Sequence, residues 1–528
     1  MHERDMTRSQ AERRAWDALV VGAGHNGLVA GILLARAGLS VLVVEARAEI
    51  GGAVRTERPF SRAPNLPTST GAYLLGLMPP ELIRELGIEL PLIRRDPHYF
   101  LPTTGNGYLL FGSNRAELER QFREFFSERD LRASAALERE IGQLRDDIAP
   151  TWLQEPLTIE ETAERYVRPE LRSIFVQLCR GSVGEYLDRF GFESELVKAM
   201  YAVTDGFSGL YGSWNTPGTG MNFLIHNMCR LPGSDGTWML VRGGMGTVTE
   251  QLAGALERAG GRVLRNEPVA RILVEDGTAR GVVLESGSEL RARTVLAGCD
   301  PFTLRELVGR DRFPEALGKK LDGLYRPGST FKLNLALERM PTFTCLPNPP
   351  PAFAPTIHLL PQEPNLLDAL EGAFREVQAG RLPDFPTIEW YIHTPLDPTL
   401  TDERGRLSSA LFVQWVPYDL TETTWDEAAD AYADHLLSIC DRFAPGTSSL
   451  VVDRMPLHPL AIEQRFGIRH GHIHHVDNGF GFADRFPHAL PIAGLYSCSA
   501  GTHPAGSVIG CAGYIAARRT LADLGRSG

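Results

Sequence analysis

Residues 17–56 read DALVVGAGHNGLVAGILLARAGLSVLVVEARAEIGGAVRT, and this stretch decides the fold of the chain. Its first part, ALVVG at 18–22, is a short run of apolar and β-branched residues, which predicts a buried parallel strand. Gly22, Gly24 and Gly27 follow in the spacing G-x-G-x-x-G. In this pattern the first glycine allows a tight turn, the second lets a pyrophosphate approach the backbone, and the third lets the next helix pack on the strand. Residues 27–38 then predict a helix, whose free N–H groups and dipole favour an anion at its N-terminus.

A second predicted strand, SVLVVE, ends at Glu45. This acid follows the glycine pattern at the distance, about twenty residues, where a carboxylate accepts the hydroxyls of an adenosine ribose. Strand, glycine pattern, helix, strand and acid in this order predict a dinucleotide site. The pattern by itself leaves both NAD and FAD open.

The length and charge of the chain exclude several classes of protein. With 528 residues it is too long for one ordinary core, so at least two domains are expected. The net charge of −11 argues against a nucleic-acid partner, because phosphate binding needs a basic surface. No apolar run reaches the roughly 18 residues of a spanning helix, so no transmembrane segment is predicted, while peripheral membrane contact stays open.

The N-terminus and the cysteines indicate a compartment. Residues 1–14 carry charges of both signs and lack the apolar stretch of a signal peptide, so we expect a disordered tail. The seven cysteines are scattered and form no CxxC pair. Free thiols in a reducing environment fit this pattern better than a disulfide framework, which predicts a cytoplasmic protein.

The residues after Glu45 distinguish the two dinucleotides. They read ARAEIGGAVRT, with a glycine pair at Gly51 and Gly52. Here the sequence resembles the large flavoprotein superfamily that includes amine oxidases and phytoene desaturases, in which this segment covers the pyrophosphate of FAD. Many members have an arginine directly after the pair, whereas this chain has Ala53, with Arg55 two positions later. The resemblance implies FAD as cofactor and assigns to it Gly22, Gly24, His25, Asn26, Gly27, Glu45, Ala46, Arg47, Gly51, Gly52 and Ala53.

The C-terminal segment carries the resemblance further. GLYSCSAGTHPAGSVIGCAGYIAAR and WMLVRGGMGTV resemble the phytoene desaturase and carotenoid isomerase-like family, and AIEQRFGIRHGHIHHVD suggests its branch of pyridine nucleotide-disulfide oxidoreductase domain-containing proteins. The resemblance implies that a glycine-rich turn and the start of a long helix face the flavin, and that a valine contacts the adenine. The glycine-rich turn contains Gly501, the start of the helix contains Ser507, Val508 and Ile509, and the valine is Val269.

The expected fold class is α/β, or α+β overall, with a Rossmann-like FAD-binding domain in discontinuous segments and an inserted substrate domain of mixed sheet plus helices. We assign 15–75, 235–305 and 485–528 to the FAD-binding domain. Residues 76–234 and 306–484 are assigned to the substrate-binding domain. Within the latter, the proline-dense stretch 341–366 is expected to be a surface loop without regular structure.

Two residues are candidates for the chemistry. Lys332, in PGSTFKLNLAL, resembles a lysine of amine oxidases that holds a water near flavin N5, and a buried lysine with a depressed pKa suits that role. An exposed strand position is the alternative. His503, in GTHPAG, lies beside the expected flavin ring as an acid or base, or else only hydrogen-bonds the turn.

Other polar and aromatic residues suggest a pocket. Predicted substrate-lining residues are Tyr73, Trp214, His226 and Trp238. The cluster RHGHIHHVD would put three histidines on one strand face, an arrangement that suits a metal, but no metal site is assigned.

The sequence favours an FAD-dependent dehydrogenase, desaturase or oxidase that takes a hydride from a small hydrophobic substrate, of polyene or long-chain type, to flavin N5. The electron acceptor, dioxygen or a quinone, is left open. Three alternatives remain: a double-bond isomerase that uses reduced FAD, an amine oxidase favoured by Lys332, and a largely non-catalytic flavin-binding interaction protein.

Overall fold

The computed structural model describes residues 6–526. The strand, helix and strand that the sequence predicts over residues 18–45 are present. The helices are α1 (Arg8–Glu12), α2 (His25–Arg36), α3 (Pro80–Leu86), α4 (Arg115–Phe125), α5 (Glu128–Ile148), α6 (Ile159–Tyr166), α7 (Arg172–Arg180), α8 (Val183–Asp188), α9 (Glu195–Tyr201), α10 (Thr219–His226), α11 (Gly246–Arg258), α12 (Pro301–Val308), α13 (Glu315–Gly323), α14 (Leu366–Gln378), α15 (Trp425–Phe443), α16 (Pro459–Phe466) and α17 (Cys511–Asp523). The strands are β1 (Trp16–Val21), β2 (Val41–Val44), β3 (Thr56–Glu57), β4 (Thr68–Ser69), β5 (Leu92–Ile93), β6 (Tyr99–Pro102), β7 (Tyr108–Phe111), β8 (Leu240–Val241), β9 (Arg262–Leu264), β10 (Val269–Glu275), β11 (Thr278–Leu284), β12 (Glu289–Ala297), β13 (Thr330–Leu337), β14 (Thr356–Leu359), β15 (Thr387–Ile392), β16 (Leu407–Gln414), β17 (Val451–Leu457) and β18 (Leu495–Ser497).

The first large sheet has the order β10-β11-β12-β1-β2-β9, with β18 also paired to β12. Strands β18, β12, β1, β2 and β9 run parallel, whereas β10 and β11 are joined to β12 by antiparallel pairing. The carboxyl ends of the parallel strands therefore meet at one edge. In open sheets of this kind, ligands bind in the crevice outside that edge.

Helix α2 lies buried against this sheet because small residues permit close approach. A Cβ atom at Gly27 would lie 2.2 Å from the carbonyl oxygen of Gly22, so packing by itself requires the third glycine of the pattern. The C-terminal helix α17 approaches α2 equally closely, since a Cβ at Gly513 would lie 2.1 Å from the carbonyl oxygen of Asn26.

The second large sheet has the order β17-β13-β16-β15-β14-β6-β7 and is antiparallel except for the pair β14–β6. Every residue of β13 and β15 is buried. Helix α15 packs on one face with Tyr432, Leu436 and Cys440 in the core. The strands of this sheet come from 76–234 and 306–484, and those of the first sheet from the remaining segments, while the division into two domains stays a prediction.

Two local predictions are wrong. The stretch 341–366 contains β14, a buried strand that fits between Pro355 and Pro361, because neither proline has to donate a hydrogen bond to the ladder. The segment 1–14 is not wholly disordered: α1 has a capping box at Thr7, and Arg8 pairs with Glu267 at 2.6 Å. Residues 1–5 lie outside the described part of the chain.

Helices α4 to α9 form a helical layer over residues 115–201, as the helix-forming sequence 115–200 predicts, and their apolar side chains join the main hydrophobic core. Between α9 and α10 the backbone adopts a stretch of π-helix over Ala202–Phe207. Such stretches are rare and frequently accompany functional sites. This one carries Asp205, a buried acid.

Substituting Gly513 by alanine tests the close packing of α17 on α2. Because the new methyl group would overlap a backbone carbonyl, we expect destabilisation by about 1–3 kcal/mol, measured by thermal unfolding. Gly323→Ala is the matched control, since its Cβ would meet no atom within 4 Å. Equal melting temperatures for the two variants would contradict this account of the packing.

Candidate functional site

A cavity of about 440 Å³ begins at the carboxyl edge of the first sheet and reaches the second sheet. Gly22 follows β1, Glu45 follows β2 and Gly298 follows β12, and all three line the cavity. Lys332 and Phe412 line it from the second sheet. The cavity therefore spans the two parts of the fold.

The dinucleotide end is organised around Glu45. Its carboxylate accepts the backbone N–H of Ala23 at 2.8 Å and that of Arg47 at 3.0 Å. The acid thereby joins the glycine-rich turn after β1 to the loop after β2. Glu45 also faces the cavity, where its remaining lone pairs suit the ribose hydroxyls.

The residues at this end fit a bound dinucleotide. A Cβ at Gly24 would meet no atom within 4 Å, so the backbone there is open to a ligand. The buried His25 Nε2 and Asn26 Oδ1 have no hydrogen-bond partner among residues 6–526. Burying such atoms is costly unless a ligand satisfies them.

Most of the sequence-predicted cofactor residues lie on the wall of this cavity. They are Gly22, Gly24, His25, Asn26, Gly27, Glu45, Ala46, Arg47, Gly51, Gly52, Ala53, Val269, Ser507 and Val508. Gly501 and Ile509 do not line it. Gly501 packs against Pro301, and Ile509 belongs to the main hydrophobic core.

His503 is not at the cavity. Its Nε2–H donates to the Thr151 carbonyl at 3.1 Å, and its ring packs beside Phe482. Burial lowers the pKa of His503 to about 3, so it stays neutral. The structure thus places His503 off the cavity wall, where it hydrogen-bonds a distant backbone carbonyl and not its own turn.

Of the four predicted substrate-lining residues, Tyr73, His226 and Trp238 line the cavity and Trp214 does not. The ring of Trp214 lies in the helical layer, with its centroid 4.6 Å from the ammonium of Lys198. A tryptophan this large fills core volume, and nothing in its local sequence distinguishes that use from a pocket wall.

Lys332 is buried on the cavity wall, not exposed on a strand. Its ammonium donates to the carbonyls of Ser69 and Gly71, both at 2.6 Å, and lies 4.6 Å from the ring centroid of Tyr73. Burial lowers the pKa of Lys332 well below its usual range.

The histidine cluster folds into irregular turns instead of a strand. His472 pairs with Asp477 at 3.2 Å, the Nε2–H of His474 donates to the Ser208 carbonyl at 3.0 Å, and His475 contacts the Ser499 hydroxyl at 2.8 Å. Among residues 6–526 no group of three or more His, Cys, Asp or Glu side chains is arranged to hold a metal.

Sequence reasoning missed several polar residues of the cavity wall: Arg95, Tyr99, Thr204, Asp205, Glu389 and Tyr391. Strand pairing brings Glu389 to the cavity, because Lys332, Phe412 and Glu389 are direct neighbours across β13, β16 and β15. One signal was available, namely a glutamate inside the otherwise apolar strand TIEWYI.

Two of these missed residues are acids with raised pKa values. Burial raises the pKa of Glu389 to about 7, against the lowering effect of its hydrogen bonds to Tyr391 and Thr204. Burial also raises the pKa of Asp205 to about 8, opposed by a hydrogen bond from Asn227 at 3.0 Å. Strongly shifted groups in a cavity are typical of functional sites.

A parallel sheet with a glycine-rich turn and an acid after its second strand, joined to a second sheet across one cavity, is the arrangement of a dinucleotide-binding protein. The sequence comparisons agree and are more specific. Residues 27–352 match the model of the flavin containing amine oxidoreductase family. The chain therefore belongs to that family, and its cofactor is FAD.

The relatives place the chain within the family. It is 33% identical to the pyridine nucleotide-disulfide oxidoreductase domain-containing protein 2 of Rattus norvegicus, over 96% of this chain and 94% of the relative. It is 27% identical to a limonene dehydrogenase component of Castellaniella defragrans, over 98% and 96% respectively. A solved oxidoreductase from Methanosarcina mazei has the same fold, with a TM-score of 0.62 at 18% identity over 96% of this chain and all of that one. The predicted family is thus confirmed.

Within residues 6–526 no helix combines the length and the apolar character that crossing a bilayer requires.

Substituting Gly24 by valine tests the dinucleotide end. Since the space around Gly24 is empty of protein atoms, we expect the apoprotein to keep its melting temperature while FAD binding weakens about tenfold or more. The visible absorbance per polypeptide and the apoprotein melting temperature are the two measurements. Unchanged FAD affinity would exclude a pyrophosphate next to this residue.

Substituting Asp205 by asparagine tests its raised pKa. An aspartate with a pKa near 8 in the folded state and about 3.9 when unfolded binds more protons when folded. Its contribution to stability therefore falls progressively as the pH rises from the lower of these values to the higher. We expect Asp205→Asn to lose less thermal stability than the unmodified protein between about pH 5 and pH 8. Parallel curves of melting temperature against pH for the two proteins would refute the shift.

Proposed function

We propose that this flavoprotein is a dehydrogenase or oxidase acting on a C–H bond of a small, largely apolar substrate. The observation that carries the proposal is the single cavity that joins the dinucleotide loops to the wall formed by Lys332, Tyr73 and Phe412. A substrate at that wall and a cofactor on the loops would share one enclosed space.

The cofactor residues have separate roles in this proposal. The backbone at Gly24 and the N-terminus of α2 receive the pyrophosphate, and Glu45 receives the ribose. Ser507 and Val508, just before α17, line the same cavity and would face the flavin. Bound FAD supplies the hydride acceptor, while the protein positions the substrate and excludes water.

The apolar part of the wall supports a hydrophobic substrate body. Leu74, Phe412 and Ile473 lie together with the rings of Tyr73 and Trp238 in one apolar cluster. The limonene dehydrogenase relative acts, by its name, on limonene, which supports an apolar substrate here as well. Desaturation of a polyene or long-chain substrate is one form of this reaction.

An amine oxidase is the second candidate, favoured by Lys332 and by the family itself. In both candidates Lys332 would hold a water at the flavin, since two backbone carbonyls fix the position of its amino group. Dioxygen and quinones are the proposed electron acceptors.

We also propose a reducing, cytoplasmic compartment. All seven cysteines, Cys179 to Cys511, are free thiols.

Peripheral contact with a membrane stays a prediction. Of the large hydrophobic side chains in the described residues, Tyr325 alone is exposed, at 40% of its surface.

Anaerobic mixing tests the proposed reaction. Bleaching of the yellow protein by terpenes or long-chain compounds would support a dehydrogenase, and bleaching by amines alone would support an amine oxidase. If isomerisation occurs only after chemical reduction of the flavin, the dehydrogenase is replaced by an isomerase. If no compound in a broad panel bleaches the protein or is isomerised, the enzyme proposal is wrong.

Substituting Lys332 by methionine tests the role of this residue. We expect reoxidation of the reduced protein by dioxygen to slow by about 10- to 100-fold, because a preorganised donor is lost. Lys198→Met is the matched control, since Lys198 also lies over an aromatic ring but outside the cavity. FAD content is measured for both variants. Unchanged reduction and reoxidation rates in Lys332→Met would remove Lys332 from the chemistry.

A further inference from the structure

Polar side chains gather where the cavity meets the second sheet. We call this group the polar end, defined by Tyr73, Arg95, Tyr99, Asp205, Glu389 and Tyr391. Arg95, Asp205 and Glu389 are all buried, at 1%, 5% and 4% exposure. A hydrophobic substrate alone gives no reason for three buried ionisable groups on the wall that receives it, because burying charge is costly.

The two acids have neutral partners. The Tyr391 hydroxyl donates to the Glu389 carboxyl, and the Asn227 amide donates to Asp205 at 3.0 Å. Among the described residues, no lysine, arginine or histidine nitrogen lies close enough to a carboxyl oxygen of either acid to form an ion pair.

Arg95 likewise has neutral partners. Its Nε–H donates to the Trp238 carbonyl at 3.0 Å, and its Nη1–H donates to the Thr356 hydroxyl at 2.8 Å and the His98 carbonyl at 3.2 Å. The guanidinium is thus held in place without using either carboxyl group. Both acids keep free lone pairs or a proton for a ligand.

Donors and acceptors lie side by side at the polar end. The Arg95 guanidinium and the phenols are donors, and the carboxyl oxygens of Glu389 and Asp205 are acceptors. A buried anion would face a carboxylate. A buried cation would face the Arg95 guanidinium. A neutral group that both donates and accepts meets an acceptor and a donor without changing the charge.

We propose that the polar end is a binding subsite for an uncharged hydroxyl group carried by an otherwise apolar substrate. The Glu389 carboxylate accepts the hydrogen bond of the hydroxyl proton, and protonated Asp205 or a phenol donates to its oxygen. The alkyl body lies against Leu74 and Phe412. This inference rests on the proposed function, because it assigns the substrate of the same cavity.

The test uses the FAD-bound protein and three probes with one alkyl chain: 1-octanol, octylamine and octanoate. Titration calorimetry in two buffers of different ionisation enthalpy gives affinity and proton exchange together. We expect 1-octanol to bind at least about tenfold more tightly than the other two, with little proton exchange. Tighter binding of octylamine with proton release would overturn the proposal in favour of a cation, and tighter binding of octanoate would overturn it in favour of an anion.

Variants of Glu389 separate an acceptor from a counter-charge. Glu389→Gln keeps an acceptor oxygen, so we expect the affinity for 1-octanol to change by no more than about threefold, whereas Glu389→Leu should weaken it about tenfold. A large loss in Glu389→Gln would contradict a neutral ligand. FAD content and melting temperature identify any variant that fails to fold. If Glu389→Leu fails to fold, the affinity of Glu389→Gln for 1-octanol decides between a neutral and a charged ligand.

Glu463→Gln is the matched control. Glu463 also accepts a hydrogen bond from a tyrosine, Tyr418, but does not line the cavity. Its affinity for 1-octanol should equal that of the unmodified protein, and an equal loss in Glu463→Gln and Glu389→Leu would overturn the subsite.

The subsite and the proposed function fail in different ways. If 1-octanol binds as expected but no compound bleaches the flavin, the subsite stands and the oxidoreductase proposal is wrong. If hydrocarbons bleach the flavin and 1-octanol does not bind, the oxidoreductase stands and the subsite is wrong.

Discussion

The ammonium group of Lys332 connects the two halves of the cavity wall. It comes from the middle of a buried strand of the second sheet and donates to the carbonyls of Ser69 and Gly71, which follow the cofactor loops of the first sheet. Asn334, on the same face of that strand, reinforces the connection through the Thr70 carbonyl at 3.3 Å. Because a buried lysine without acceptors would be costly, these carbonyls and the lysine hold each other in place. These bonds fix the backbone directly before Tyr73 and Leu74, which line the cavity.

The two sheets contribute different chemistry to the cavity. The first presents its strand ends, where glycine backbone, Glu45 and the N-terminus of α2 favour the charged part of a dinucleotide. The second presents a face, so its contribution consists of side chains: Lys332, Phe412 and Glu389 in one row across three strands. A ligand in this cavity therefore contacts backbone at one end and side chains at the other.

The sequence predicted the first of these contributions better than the second. The residues predicted in the loops after β1 and β2 all line the cavity, because that prediction rests on glycine spacing within a short segment. Their part in binding the cofactor stays a prediction. The resemblance also led to Lys332. Predictions based on nearness along the chain were less successful: His503, Trp214, Gly501 and Ile509 do not line the cavity. The order of residues along a turn does not record which of them face a cavity.

By itself the sequence determined the dinucleotide motif, the flavoprotein family and the cofactor, since each depends on residues close together or on a resemblance along the whole chain. The tertiary structure decided which acids and aromatics share the cavity. Glu389 and Asp205 meet there only through the pairing of β15 with β16 and through the π-helical turn before α10. Strand pairing joins segments that are distant in the chain, and burial shifts the pKa of an acid only once those segments enclose it.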